Sequence, residues 1–319
     1  MDIRVLSAED VERALPMAEA IQAMREAFSQ VASGQATMPL RGRIATDRGV
    51  TLLMPAFLQT SRELGIKAIS IYDGNPSLGL PTVNAMVLVL DPETGLPRAL
   101  IEGNSLTALR TGAAGGLGTE ILSRKDARTA ALIGTGVQGR AQLQAVLAVR
   151  EIEQVLLFNR SPDKAHDLAR DMGSWTGAPR VRVCSSPREA VQDADIVIAA
   201  SSSPTPVFDG RDLKPGTHVT GVGSFRPEMQ EVDAVTIQRA RIVVDSREAC
   251  LEEAGELIRN QARIEAEIGE LINGQALGRQ SEDEITFFKS VGVAAQDAAA
   301  AAAVLSRAEQ LGLGTVIAW

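Results

Sequence analysis

The hydrophobic and polar positions of this chain change period twice. Residues 3–6 read as a short apolar strand, and Ser7 with Asp10 three residues on marks a helix start. After Leu15 and Pro16, Met17, Ile21, Met24 and Phe28 recur at helical spacing and predict an amphipathic helix. Between 36 and 101 the runs 50–54, 65–72 and 82–90 are short, rich in strand-forming residues and broken by glycine, proline and aspartate. This predicts an antiparallel sheet, with Asp91-Pro92-Glu93-Thr94-Gly95 turning the chain into a strand at 97–102. A helix of small residues is expected from near Ser105 through Thr119.

From Arg128 onward the pattern alternates strand and helix. Strands are expected at 128–133, 154–159, 181–184, 195–200, 218–222 and 241–244, the six of a doubly wound parallel sheet. The alanine run 298–303 lies inside a predicted helix 293–310, whose small side chains suit close packing. Gly312 and Gly314 end that helix, leaving 315–319 to add a strand to the first domain. The expected architecture is α/β: a Rossmann-type sheet at 123–292, inserted in an α+β substrate and dimerisation domain of residues 1–122 completed by 293–319. A length of 319 residues accords with two cores.

One stretch carries specific chemistry. The apolar strand ending at Ile133 runs into Gly134-Thr135-Gly136-Val137-Gln138-Gly139, then a helical pattern and a second buried strand. A G-x-G-x-x-G inside a complete βαβ unit is the dinucleotide fingerprint, in which Gly134 makes the turn, Gly136 admits a pyrophosphate and Gly139 lets helix meet strand. The second strand ends in Asn159, Arg160 and Ser161, with Lys164 one turn on, where an NAD site usually has an acid. A guanidinium grips a 2′-phosphate that a carboxylate would repel, so NADP(H) is expected over NAD(H). The competing reading of Arg160 is a solvated loop arginine.

Composition narrows the class. A net charge of −8 argues against nucleic acid as partner. No segment has a membrane span's length and hydrophobicity, and residues 1–4 lack a signal peptide's basic start, so the expected location is cytoplasmic. Cys184 and Cys250 form no C-x-x-C, and His166 and His218 are isolated, so no metal site is expected. On the substrate side, Arg41, Lys67 and Arg110 each lie in an apolar or small-residue segment without a neighbouring acid. Such cations point to an anionic ligand, or else each is surface-exposed or pairs with a distant glutamate.

The chain resembles the ornithine cyclodeaminase/mu-crystallin family over nearly its whole length. The resemblance rests on Gly103-Asn104-Ser105-Leu106-Thr107-Ala108-Leu109-Arg110-Thr111-Gly112-Ala113-Ala114 and the glycine turn with Gln138. It rests also on Val222-Gly223-Ser224 ahead of Pro227, and on Phe288-Lys289-Ser290-Val291-Gly292. It implies a homodimer whose first domains join their sheets, an active site between domains, and a small amino- or imino-acid substrate. It implies that Arg41, Lys67 and Arg110 hold an α-carboxylate, that Thr82 lines the substrate, and that Gln138 places the cofactor. Thr111, Ser201, Val222 and Ser224 are cofactor-side candidates.

Two departures bear on the reaction. Where cyclodeaminases of the family carry an aspartate, this chain has Phe225, with Glu228 or Glu231 as the nearby substitutes; and Asn159-Arg160 replaces the ribose acid. Phenylalanine cannot serve as base or counter-charge. The ketimine and Δ1-pyrroline-2-carboxylate reductase branch therefore fits better, with Phe225 as an apolar wall for a cyclic 2-imino acid. The alternatives are cyclodeamination of ornithine, an alanine-type dehydrogenase with Asp297 as pocket acid, and a mu-crystallin-like binding protein without turnover.

Overall fold

The computed structural model describes residues 2–175 and 177–319; Met1, part of the N-terminal reading above, lies outside them. The chain opens with β1 (Asp2–Leu6), α1 (Ala8–Ala14), α2 (Met17–Ala32), β2 (Ala36–Thr37), β3 (Gly42–Thr46) and β4 (Gly49–Leu58). It continues with β5 (Glu63–Ile71), β6 (Val83–Leu90), β7 (Pro97–Glu102) and α3 (Gly103–Leu122). There follow β8 (Thr129–Ile133), α4 (Val137–Val149), β9 (Gln154–Phe158), α5 (Pro162–Met172), β10 (Arg180–Val183), α6 (Pro187–Val191), β11 (Ile196–Ala199) and β12 (His218–Gly221). Next come α7 (Ala234–Arg239), β13 (Ala240–Val244), α8 (Arg247–Glu253), α9 (Gly255–Arg259), β14 (Ala266–Glu267), α10 (Ile268–Ile272) and β15 (Ile285–Lys289). The chain closes with α11 (Ala294–Leu311) and β16 (Thr315–Ala318).

The chain divides into two compact units, 1–110 with 293–319, and 111–292. The division falls at Arg110/Thr111, inside α3, whereas the sequence pattern put it at 122, where the helix ends. The reason lies in the second half of the helix: a Cβ on Gly112 would stand 2.7 Å from the Ala141 carbonyl oxygen, and one on Gly118 would meet the Phe288 ring. Those glycines fit α3 to α4 and β15, so the second half of α3 belongs to the second unit.

In the first unit, β3 to β7 are joined by antiparallel pairings, and β16 returns antiparallel on β1 as expected. Ser7 and Asp10 form a reciprocal capping box at the start of α1. α11 ends at Gly312, whose φ of 65° is left-handed. One sheet face buries Met54, Ala56, Val87 and Val89, with Ala294 and Ala298 of α11 packed into the same core.

The second unit holds a wholly parallel sheet in the order β10-β9-β8-β11-β12-β15-β13-β14. β8, β9 and β11 are mainly apolar runs buried almost throughout, as a sheet covered on both faces requires, and β12, His218-Val219-Thr220-Gly221, is buried as well. Among the described residues it has eight strands where six were expected. β15 was not foreseen because its sequence, Ile285-Thr286-Phe287-Phe288-Lys289, ends in a charge; it lies between β12 and β13. No helix among the described residues is long and apolar enough to cross a membrane.

Candidate functional site

The strand order of the second unit reverses between β8 and β11, the point where open parallel sheets bind ligands beyond the carboxyl ends of their strands. The glycine turn sits there. Gly134 has φ +95°, and a Cβ on it would run into the Ala200 carbonyl oxygen. A Cβ on Gly139 would collide with the carbonyl oxygen of Gly134. At Gly136, by contrast, a Cβ would meet nothing within 4 Å, so this glycine faces open space. It is the N-cap of α4 and supplies no side-chain cap. The first-turn N–H groups are thus left for an anion.

Two polar atoms beside this turn, Thr135 Oγ1 and Gln138 Oε1, are buried without a hydrogen-bond partner. Val137 is exposed. Orphaned polar atoms next to an open helix N-terminus fit a polar ligand such as a dinucleotide. Asn159 is engaged on both sides: its Oδ1 accepts from the Thr135 N–H (3.2 Å) and its Nδ2 donates to the Ser161 carbonyl (3.0 Å). It therefore ties the glycine turn to the loop after β9. Arg160 and Lys164 are exposed, and Ser161 caps α5 without a side-chain hydrogen bond.

The first unit assembles a second cluster. Lys67, on β5, is paired in register with Met54 and Val87, on the sheet face that α11 covers. Gly65 lies two residues away on that face, and a Cβ there would be 3.3 Å from the Cα of Ala298. The missing side chain and the alanine run let α11 come close enough to set Asp297 over Lys67. Lys67 Nζ is 2.7 Å from Asp297 Oδ2, and Arg110 Nε donates to Asp297 Oδ1 at 2.9 Å. Arg110 Nη1 donates to Gln296 Oε1 at 3.1 Å, and that oxygen also accepts from the Val293 N–H at 2.8 Å.

Lys67 and Asp297 are each 1% exposed and Arg110 5%. Two buried cations thus face one buried carboxylate. Burial, then the like charge of Arg110, push the Lys67 pKa down to about 8, against the pull of Asp297; Arg41 adds to the repulsion. Burial works against the Asp297 carboxylate, but Arg110 and Lys67 outweigh it and lower its pKa. Arg41 precedes β3, half-buried, and Thr82 precedes β6, its carbonyl accepting from the Tyr72 N–H. The distant acid that Lys67 and Arg110 meet is an aspartate, where a glutamate was the expected alternative, and Asp297 makes no side-chain cap of α11.

The loop after β12 carries Phe225, 38% exposed, with the Arg226 guanidinium over its ring. Glu228 is exposed. Glu231 is fully buried; its Oε1 accepts from the Ser201 N–H and its Oε2 from those of Gly223 and Ser224. A carboxylate so engaged is not the free base that the missing aspartate would have supplied. Val222 and Ser224 are also buried. Ser224 is surrounded by Glu256 and Lys289, which the sequence reading had left without a role. Lys289 could have been signalled by its place after the mainly apolar run 285–288; Glu256, among other acids, carried no such signal.

Neither histidine nor Cys184 takes part in these clusters, whereas Cys250 Sγ donates to the Lys289 carbonyl at 3.9 Å. His218 is buried between Thr286 and Thr220, with burial holding its pKa well below the usual imidazole range. His166 is exposed, and both cysteines are buried thiols. No group of three or more His, Cys, Asp or Glu placed to hold a metal occurs among the described residues.

A sequence model of the ornithine cyclodeaminase/mu-crystallin family matches residues 1–312. The Δ1-pyrroline-2-carboxylate reductase of Bacillus cereus is 38% identical over 323 residues, covering 98% of this chain and 99% of that one. The structure of Thermococcus litoralis Δ1-pyrroline-2-carboxylate reductase in complex with NADH and L-proline superposes with a TM-score of 0.93 at 39% identity, covering 98% and 99%. An archaeal alanine dehydrogenase dimer with bound NAD superposes with a TM-score of 0.93 at 33% identity, covering both chains completely.

Proposed function

The chain belongs to the ornithine cyclodeaminase/mu-crystallin family, and from that premise we propose that it is an NADPH-dependent reductase of a cyclic 2-imino acid. The substrate is Δ1-pyrroline-2-carboxylate or Δ1-piperideine-2-carboxylate, and the product is the L-amino acid. The observation that carries this reading is the buried Lys67–Asp297–Arg110 group, in which two cations share one carboxylate. A buried positive charge in excess is costly and is relieved by an anion. The α-carboxylate of an imino acid is such an anion, and arginine binds it through charge-assisted hydrogen bonds.

When bound, a nicotinamide cofactor would supply the hydride to the C=N carbon of the ring, whose nitrogen, entering protonated, would keep the electron pair of the π bond. The chain's own task is to bind and orient. Lys67, Arg110 and Arg41 hold the carboxylate, Thr82 and Phe225 line the ring, and Asp297 pairs with Lys67 and Arg110 and keeps both in place. The open space at Gly136, the first turn of α4 and the unpartnered Thr135 and Gln138 atoms accept the cofactor's pyrophosphate region, with Thr111, Ser201, Val222 and Ser224 around it. Arg160, Lys164 and Ser161 support the 2′-phosphate, hence NADP(H), although the two solved relatives hold NADH and NAD.

The same reading includes a homodimer. Ile44, Leu53 and Met86 are exposed on the sheet face opposite Lys67, and Leu53 and Met86 flank Ala68 in register. A second copy is the partner that the dimeric relative suggests.

The test is an NADPH and NADH oxidation assay with both cyclic imines, alongside ornithine, and pyruvate with ammonia. Turnover of a cyclic imine with NADPH is expected. Proline release from ornithine, without imine reduction, would put cyclodeamination first. The alanine-dehydrogenase reading draws on the archaeal relative and on the buried Asp297, and pyruvate turnover would favour it.

A further inference from the structure

We propose that Glu231 is a positioning residue that presets the loop 222–225 against the loop after β11, so that Phe225 and its neighbours meet cofactor and substrate already in place. This rests on the reductase reading for its kinetic consequences only. The carboxylate lies between two chain segments that leave adjacent parallel strands. Oε1 accepts from the Ser201 N–H, beyond β11, at 2.5 Å. Oε2 accepts from the N–H groups of Gly223 at 2.5 Å and Ser224 at 3.1 Å, beyond β12. A Cβ on Gly223 would collide with the Ser201 carbonyl oxygen, so the two segments approach as closely as backbone allows. Such an approach turns three N–H donors toward one buried place, and a single carboxylate satisfies them all.

Ser224 is held from the other side as well. Its carbonyl accepts from Lys289 Nζ at 2.7 Å, and its hydroxyl accepts from the same ammonium at 2.6 Å. The hydroxyl donates to Glu256 Oε2 at 2.5 Å, and Glu256 Oε1 lies 2.9 Å from Lys289 Nζ. Every polar group of Ser224 is therefore bonded, and Glu231, Ser224, Glu256 and Lys289 are all wholly buried. Burial opposes the Lys289 charge, but the Glu256 and Glu231 carboxylates outweigh it and raise its pKa. The residue that follows, Phe225, is exposed. A rigid residue with an exposed aromatic next to it suits a wall that does not have to be ordered when substrate arrives.

The carboxylate has a property that its amide lacks. Glu231→Gln keeps one acceptor oxygen but turns an NH₂ toward backbone N–H groups on the other side, so one segment loses its anchor. Glu231→Asp keeps two oxygens on a shorter stem. Hydrogen exchange on the apo protein is measured over segments containing 201 and 223–225, NADPH affinity by fluorescence titration, and kcat and KM with the cyclic imines. In Glu231→Gln, exchange is expected to rise in those two segments and not elsewhere. kcat/KM is expected to fall about a hundredfold, the scale of a misplaced reacting group, and Glu231→Asp to restore most of it. Parent-like exchange at both segments, or equal losses in the Asp and Gln variants, would overturn the proposal. If Glu231→Gln does not fold, exchange of the parent carries the test: slow exchange at the Ser201, Gly223 and Ser224 N–H groups is expected, and fast exchange there would overturn the proposal. If no imine is reduced by the parent, the exchange and cofactor titrations still decide the role of Glu231, and the reductase reading alone falls.

Discussion

Lys67 of the central strand β5 and Asp297 of α11 are 2.7 Å apart and almost wholly buried. The pair makes a pH prediction. Facing the Lys67 ammonium are Asp297, which favours its charge, and Arg110 and Arg41, which oppose it; burial opposes it most and brings its pKa down to about 8. Only the charged form binds a carboxylate well. KM for the imino acid is therefore expected to hold steady below pH 8 and to rise above it, by about tenfold per pH unit for one titrating group. In Lys67→Arg the rise should vanish from this window, since a guanidinium stays protonated. Stability moves the other way. The unfolded lysine keeps its proton to higher pH than the folded one, so this group's contribution to folding improves from about pH 8 upward.

Arg110 gives a second prediction. Arg110→Met removes the donor to Asp297 and one of the cations assigned to the substrate carboxylate. A hydrogen bond to a charged group contributes roughly 1.5–3 kcal/mol. KM should rise about tenfold to a hundredfold, with kcat changed less. An unchanged KM in steady-state assays would remove Arg110 from the binding role.

The glycine turn separates fold from binding. Gly139→Ala would place a methyl group against the Gly134 carbonyl and should cost about 1–3 kcal/mol, as overpacking does. Gly136→Ala meets open space and should leave the thermal midpoint near that of the parent, while weakening NADPH binding measured by fluorescence. Equal affinity in Gly136→Ala would mean that the cofactor does not approach there.

How much of this was legible in the sequence follows from where each signal lives. The glycine turn could be read because its three glycines, strand and helix are contiguous, and local spacing suffices. Ser7 with Asp10 was readable for the same reason. The Lys67–Asp297 pair was not, since it depends on α11 returning to β5, a contact of two distant segments that no local pattern encodes. β15 escaped because Lys289 ends an otherwise apolar run, and a lysine there makes sense only once Glu256 and Ser224 are seen around it. Glu231 looked like a spare acid near Phe225 until its three backbone donors came into view.

The apolar sheet face yields a prediction on assembly. Leu53 and Met86 stand on either side of Ala68, with Ile44 on the same face, and all three large side chains are exposed in the single chain. Burial of such surface contributes roughly 25 cal/mol per Å², and a buried unpaired charge costs several kcal/mol per ion. Met86→Lys leaves the opposite face, with Lys67 and Val87, untouched. It should shift the protein from dimer to monomer in analytical ultracentrifugation while keeping its far-ultraviolet circular dichroism. A dimer of parental affinity in Met86→Lys would place the interface elsewhere.

Arg160 gives the test of the proposed NADP(H) preference. It is exposed at the end of β9, follows Asn159, whose amide is committed to the glycine turn, and has no acid at the position that would repel a phosphate. Arg160→Ala should raise KM for NADPH about tenfold or more, the size of one charge-assisted contact, and leave KM for NADH within twofold. The NADPH effect should shrink with added salt, because an exposed ion pair is screened. Equal effects on both cofactors would mean that Arg160 contacts no 2′-phosphate, and a parent enzyme that prefers NADH would refute the NADP(H) reading directly.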